Sequence, residues 1–261
     1  HLTRNRVQAL PLDGEGIIVD ERLSGCSAVF VTPSHQFPTA ISMSSARRAM
    51  LLAAAGRENF MIIEDDYEAE INHLRDPKPA LKSEDREGRV IYLGSLSKSL
   101  FPGLRLGYVV GHPSLISELR ALRGAMLRHP PSMIQEAAAR YIGLGYFEAA
   151  NRRLRNRNKR RWALMSRLLA ELLPQMAVSP ADGGSAFWLS GGPGFNAGGF
   201  ARRLLERGVV IEPGEACFAD PAEGRSYFRL GYSAISSRRI EEGLKIIVEE
   251  LVTSGPDHAA S

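Results

Sequence analysis

One stretch, Val90 to Tyr108, restricts the fold more than any other part of the chain. Four apolar, strand-forming residues, Val90-Ile91-Tyr92-Leu93, run straight into Gly94-Ser95-Leu96-Ser97-Lys98-Ser99. Arg105 stands seven positions after Lys98, and a second apolar run spans Leu106 to Val110. A buried-type strand that ends in small hydroxyl residues and a lysine delivers that lysine to the crevice beyond the carboxyl ends of an α/β sheet, where ligands bind. Only five of the 33 basic residues are lysines, and Lys78, Lys82, Lys159 and Lys245 lie in polar or charged surroundings. A lysine in an apolar cleft loses hydration, which favours a neutral amine able to attack a carbonyl carbon and form a Schiff base. The competing reading is a solvated loop lysine, the usual state of that residue.

The flanking chain supplies the rest of such a sheet. Short strands are expected at Val7 to Leu12 and Ile17 to Val19 around the turn Asp13-Gly14-Glu15-Gly16, and a buried strand at Ser27 to Thr32, stopped by Pro33. Ser44 caps a helix to about Arg57, with Met50, Leu51 and Ala54 on its apolar face. A strand from Phe60 to Ile63 ends in Glu64-Asp65-Asp66-Tyr67, and the polar segment 76–88 reads as loop. Pro113 opens a helix to about Leu127, and a long helical run from Ser132 to Leu173 breaks near Gly143 to Gly145. This alternation of strand and helix implies an α/β fold with a mainly parallel sheet. Beyond Arg157 the pattern changes to a second, smaller α/β unit. Its strands are Ala186 to Leu189, Val209 to Ile211 and Tyr227 to Gly231, and its helices Asn196 to Arg207 and Ser236 to Val252.

If the strand ends at Thr32, Glu64 and Leu93 lie side by side, then His35 to Thr39, Asp65 to Tyr67 and Ser95 to Lys98 share one crevice. An acid, a phenol, a lysine, hydroxyls and an arginine together meet the requirements of pyridoxal phosphate. The lysine reacts with the aldehyde and a carboxylate keeps the ring nitrogen protonated, while hydroxyls and an arginine fork hold the phosphate. Two other readings compete. Gly94 to Ser99 imitates the end of a nucleotide-binding loop, but Ser97 replaces the glycine before the lysine and no glycine occupies the first position. Glu64-Asp65-Asp66 would suit a hard cation, yet an acid triplet is more often a turn or a cap, and a metal leaves Lys98 and Arg105 unexplained.

Three motifs together carry a family resemblance: Thr32-Pro33-Ser34-His35-Gln36-Phe37-Pro38-Thr39, Ile63-Glu64-Asp65-Asp66-Tyr67, and Gly94 to Tyr108, with 31 positions from Tyr67 to Lys98. They resemble the fold-type I, pyridoxal phosphate-dependent aminotransferases, most of all the aminotransferase-like effector domain of MocR-type regulators of the GntR family. Phe37, where general aminotransferases carry asparagine, points to the regulator branch. The resemblance implies that Lys98 is the Schiff-base lysine, Asp65 the partner of the pyridine nitrogen and Tyr67 the partner of the ring oxygen. Ser95, Ser97 and Arg105 would bind the phosphate. Arg229, in Phe228-Arg229-Leu230-Gly231, would clamp a substrate carboxylate, against the simpler reading of a surface arginine at a strand end.

The fold so implied is part of the large domain with its mainly parallel sheet and connecting helix over 1–156, then a small C-terminal α/β domain over 157–261. The resemblance implies pyridoxal 5'-phosphate as the cofactor and, as the ligand, a small amino compound sensed by aldimine exchange at Lys98. The same residues serve the alternative, a transaminase acting on an amino acid. A homodimer is expected, with DNA contacted only through an N-terminal winged-helix domain absent from this chain. The resemblance also places a phosphate cup and a ring-stacking aromatic upstream of Val7, and their loss keeps open a third reading, a cofactor-free relic.

Composition limits the remaining options. A net charge of +4 with much of the arginine excess between Arg152 and Arg161 does not by itself call for nucleic acid, because a helix spreads those residues around a solvated surface. Two cysteines, Cys26 and Cys217, offer neither a disulfide framework nor a metal-ligand spacing and fit a reducing cytoplasm. No apolar run is long enough to span a bilayer, so no membrane partner is expected. The start at His1, with no signal peptide, suggests a fragment.

Overall fold

A computed structural model describes residues 6–69, 72, 77–98, 100, 102–180 and 183–254. Ser99 falls outside them, as does much of the segment after Ala69. The central sheet has the order β3-β4-β5-β6, built from Ala28–Val31, Met61–Asp66, Val90–Ser95 and Gly107–Val110. β3, β4 and β5 run parallel, and β6 returns antiparallel against β5. The mainly parallel sheet expected from the alternating pattern is therefore present. The helix after β3, α1 (Ser45–Glu58), starts where the Ser44 hydroxyl accepts the Arg47 N–H and stops where Asn59 turns left-handed at φ 60°. Leu51, Ala54 and Ala55 on α1 pack with Val29, Val31, Phe60, Ile62 and Val90 into the core beneath the sheet.

The second half carries an antiparallel sheet of order β7-β8-β10-β9, from Ala177–Val178, Ala186–Ser190, Tyr227–Gly231 and Glu212–Pro213. Its core draws Met165 and Leu169 from α5 (Tyr146–Leu172), Phe200 and Leu204 from α6 (Ala197–Glu206), and Ile240, Leu244 and Ile247 from α7 (Ser237–Ser254). Between the sheets run α3 (Pro113–Met126), α4 (Ser132–Gly143) and α5, with the break before α5 at Gly145, φ 76°. α5 is continuous through residues 156 and 157. No helix among the described residues is long and apolar enough to cross a membrane.

Several local expectations need correction. The N-terminal hairpin pairs only two residues a side, β1 (Leu12–Asp13) with β2 (Gly16–Ile17), because Pro11 has no N–H to give and Val7 lies exposed without a neighbouring strand. Met50 is exposed; the buried face of α1 is completed by Arg48, whose guanidinium donates to the carbonyls of Met43, Pro79 and Pro33. Val209 to Ile211 form no strand, since the Val209 N–H closes the end of α6 on the Leu204 carbonyl, and pairing begins at Glu212. Segment 76–88 contains a short helix, α2 (Leu81–Glu84), whose first N–H groups are taken by a distant carboxylate, that of Glu64. β4 continues through Asp66, so Asp65 lies within the strand and opposite Leu93.

Candidate functional site

Strand alternation separates the three consecutive acids of β4. Glu64 is fully buried and caps α2, accepting from the N–H of Leu81 at 2.7 Å and of Lys82 at 2.9 Å. Burial raises its carboxyl pKa, against those two bonds. Asp66, buried on the same face, bonds the hydroxyls of Ser34 and Tyr92. Asp65 points to the opposite face and feels the charge of Lys98; burial raises its pKa and the lysine opposes the rise. No hydrogen bond engages its carboxylate among the described residues, so it is the acid left available. The acid triplet thus diverges, and no group of three metal-ligating side chains gathers among the described residues.

Lys98 sits in the loop just past β5 with its ammonium 4.1 Å from the centre of the Tyr67 ring and 3.0 Å from Glu68 Oε1. Its side chain is 42% exposed, so the surroundings are a polar cluster at a crevice mouth, not the apolar cleft suggested by the sequence. The Tyr67 hydroxyl donates to the His35 carbonyl at 3.1 Å, which ties the loop after β3 to the end of β4. Burial pushes the Tyr67 phenol well above its ordinary range, with the Glu68 charge adding to the rise. Loops following three neighbouring parallel strands thus meet at this point, as their topology requires.

Glycine near the end of β5 makes room for the neighbouring strand. A Cβ on Gly94 would lie 2.2 Å from the Tyr108 ring, which faces it across the β5–β6 pair. The loop is closed by the Leu96 N–H on the Leu106 carbonyl, while Ser95 Oγ accepts from the Ser97 N–H at 3.3 Å. Arg105 leaves the loop at φ 50°, exposed, and no hydrogen bond holds its guanidinium among the described residues. Ser95 thus closes β5 while Ser97 and Arg105 lie in the segment that follows, with no side-chain bond joining the arginine to either serine among the described residues.

Arg229 lies on β10 opposite Glu212 of β9 and Trp188 of β8. It is no free surface arginine. Its fork donates to both oxygens of Glu212 at 3.1 and 2.9 Å and to Ser185 Oγ at 3.2 Å, and its carbon lies 5.6 Å from the Phe37 ring. The Ser185 hydroxyl donates in turn to Glu68 Oε1. A continuous polar path runs from Glu212 and Arg229 through Ser185 and Glu68 to Lys98, joining the two sheets.

Sequence reading passed over Glu68, Ser185, Glu212 and Arg48. Glu68 follows Tyr67 directly, and Ser185 follows the Gly183-Gly184 pair, so proximity to named residues was the available signal. Trp188 and Phe187 behave as core, Trp188 stacked on Tyr227 at 5.6 Å and Phe187 against Trp162 and Tyr232.

The profile of the family "Aminotransferase class I and II" matches residues 22–247. The regulator TauR of Rhodobacter capsulatus is 38% identical over 249 residues, 95% of this chain and 51% of that protein. Aromatic-amino-acid aminotransferase 1 of Thermococcus litoralis is 30% identical over 253 residues, 93% of this chain and 60% of that protein. Among solved structures, LysN of Thermus thermophilus, an alpha-aminoadipate aminotransferase complexed with N-(5'-phosphopyridoxyl)-L-leucine, superposes with a TM-score of 0.88 at 28% identity. That superposition covers 95% of this chain and 66% of LysN. The chain spans about half the length of the curated regulators it matches.

Proposed function

This chain belongs to the aminotransferase class I and II family, and we propose that it is the effector-binding part of a MocR-type regulator of the GntR family. The family's cofactor is pyridoxal 5'-phosphate, and the donor set here fits it. The observation that carries the reading is one geometry: the Lys98 ammonium over the Tyr67 ring, within electrostatic reach of the uncommitted Asp65. When bound, the cofactor supplies an aldehyde carbon to which amines add reversibly, and a ring that withdraws electrons while its nitrogen is protonated.

In this proposal Lys98 is the covalent anchor, and a small amino compound competes with it for the same carbon. Asp65 holds the proton on the ring nitrogen; burial from water strengthens that charge-assisted bond. Tyr67 keeps its proton far above neutrality, so its hydroxyl acts as a donor toward the ring oxygen in place of the His35 carbonyl. Ser95, Ser97 and Arg105 orient the phosphate, the exposed guanidinium by a bidentate fork. Arg229 binds a carboxylate on the amino compound, which takes the place of Glu212.

The regulator reading is supported by the 38% identity to TauR, against 30% to the Thermococcus litoralis enzyme. Transamination would use the same residues, with freed Lys98 moving the proton. DNA contact belongs, in this proposal, to the part of the regulators' length that this chain does not span. A homodimer belongs to the same proposal, and sedimentation of the purified chain tests it. The main test adds pyridoxal phosphate, reduces with borohydride and maps the label. Attachment at Lys98 is the expected result, and attachment elsewhere overturns the assignment. An amino acid that releases the cofactor from Lys98 without yielding pyridoxamine phosphate marks a sensor; its conversion marks an enzyme.

A further inference from the structure

Glu68 is 2% exposed and surrounded by donors. Lys98 Nζ lies 3.0 Å from Oε1, the Ser185 hydroxyl donates to the same oxygen, and His35 Nδ1 is 3.6 Å from Oε2. Gly184 leaves this carboxylate its space, since a Cβ there would come within 3.3 Å of Oε2. A carboxylate so far from water is costly unless a cation answers it. Among the described residues the lysine or arginine within ion-pair distance is Lys98, whose amine is also the group that the cofactor must take.

We propose that Glu68 is a positioning residue that holds the Lys98 ammonium whenever no covalent bond occupies it. This inference rests on the function proposed above only where pyridoxal phosphate is concerned. Joining Nζ to the aldehyde carbon forms one C=N bond and releases one water, and the amine must first leave Glu68. The ion pair therefore opposes loading and makes Lys98 a better leaving amine when another amino compound arrives. Ser185 shares its hydroxyl between Glu68 and Arg229, so release of the lysine and recognition of a ligand's acid group meet at one buried carboxylate.

The test compares the full chain with Glu68→Gln, first without cofactor, by timed acetylation and peptide mapping. An ammonium held in an ion pair is a poor nucleophile, so Lys98 in E68Q should acetylate about fivefold faster relative to exposed Lys245, the scale of one such pair. The pyridoxal phosphate concentration for half-maximal loading should fall by a similar factor. Ser185→Ala removes a neutral donor but leaves the carboxylate, and should acetylate Lys98 no faster than the parent. An unchanged or slower Lys98 rate in E68Q, or an equal acceleration in S185A, overturns the proposal. Failure of both proteins to load cofactor would defeat the proposed function, while the acetylation rates still judge Glu68. Should circular dichroism show E68Q unfolded, Glu68→Asp takes its place. Because aspartate keeps a carboxylate that can still hold Lys98, Glu68→Ala is prepared beside it, and a Lys98 rate in the folded E68A protein equal to the parent's would count against the idea.

Discussion

The two sheets of this chain solve the problem of burial differently. In the antiparallel sheet β8 is buried along nearly its whole length, and α5, α6 and α7 seal it with Met165, Leu169, Phe200, Leu204, Ile240, Leu244 and Ile247. The central sheet has a core on the α1 side, but all four residues of β6 are exposed and α3 buries none of its fourteen. Leu119, Leu122, Met126 and Leu127 lie open to solvent there. The groups with chemistry in them, Lys98, Asp65, Tyr67 and Glu68, stand on the less completely covered sheet. Arg229 comes from the sealed one, with its partners Glu212 and Ser185. The lesson is a division of labour in which one lobe supplies rigidity and the other the reactive loops.

The largest effects should separate the lobes most sharply. Phe228 is fully buried, with the Phe195 and Phe200 rings each 6.0 Å away. Phe228→Ala should cost about 3–5 kcal/mol in urea denaturation, as expected for removing a core aromatic. Leu122→Ala on α3 should change stability by less than about 0.5 kcal/mol. Comparable losses at the two sites would end the contrast. Next is Arg48, the polar keystone on the other lobe. Arg48→Met keeps the volume but removes a donor from three carbonyls, leaving that of Pro79 without one among the described residues, and takes from Glu64 its counter-charge, at a cost on the order of 3 kcal/mol. A neutral result would show that water replaces the guanidinium and that this loop cluster is looser than its burial implies.

Arg229→Lys sharpens the functional side of the comparison. Lysine keeps the charge and loses the fork, so affinity for a carboxylated amino compound should fall roughly 10- to 100-fold while cofactor loading stays unchanged. Equilibrium titration of the loaded protein reads both. Loss of cofactor loading as well would mean that Arg229 acts through the Ser185–Glu68 path to Lys98 before any ligand arrives.

What the sequence made legible follows range. The β5 strand, the Ser44 cap and the break at Gly145 depend on neighbouring residues, and the structure has all three. The gathering of His35, Tyr67 and Lys98 followed from a parallel sheet presenting its strand ends together. Long-range choices were not legible. Helix α2 exists because Glu64, well upstream in the chain, caps it, and nothing between 76 and 88 encodes that carboxylate. Burial of Arg48 depends on carbonyls at Pro33 and Pro79, and the pairing of Arg229 with Glu212 depends on a register set only when β9 begins late. The surroundings of Lys98 were misjudged for the same reason: Glu68 is close in sequence to Tyr67, but its second partner, Ser185, comes from beside the other sheet.

The smallest predicted effect tests whether Asp65 is there for the fold or for a ligand. Burial from water raises its carboxyl pKa, and the Lys98 charge only partly offsets this, so the ionised form is disfavoured in the folded chain. The sign follows from linkage: that cost is absent below the ordinary carboxylate range and grows as pH rises through the raised pKa, remaining at neutrality. Asp65→Asn is neutral throughout. It should therefore melt slightly higher than the parent at neutral pH in the absence of cofactor, with the difference vanishing in acid. The same substitution should weaken pyridoxal phosphate binding and shift the bound cofactor's absorption. Opposite signs from one atom change are the mark of a group kept for binding at the fold's expense. A lower melting temperature at neutral pH would instead make Asp65 a structural acid, and the contrast between a rigid lobe and a reactive one would lose its clearest member.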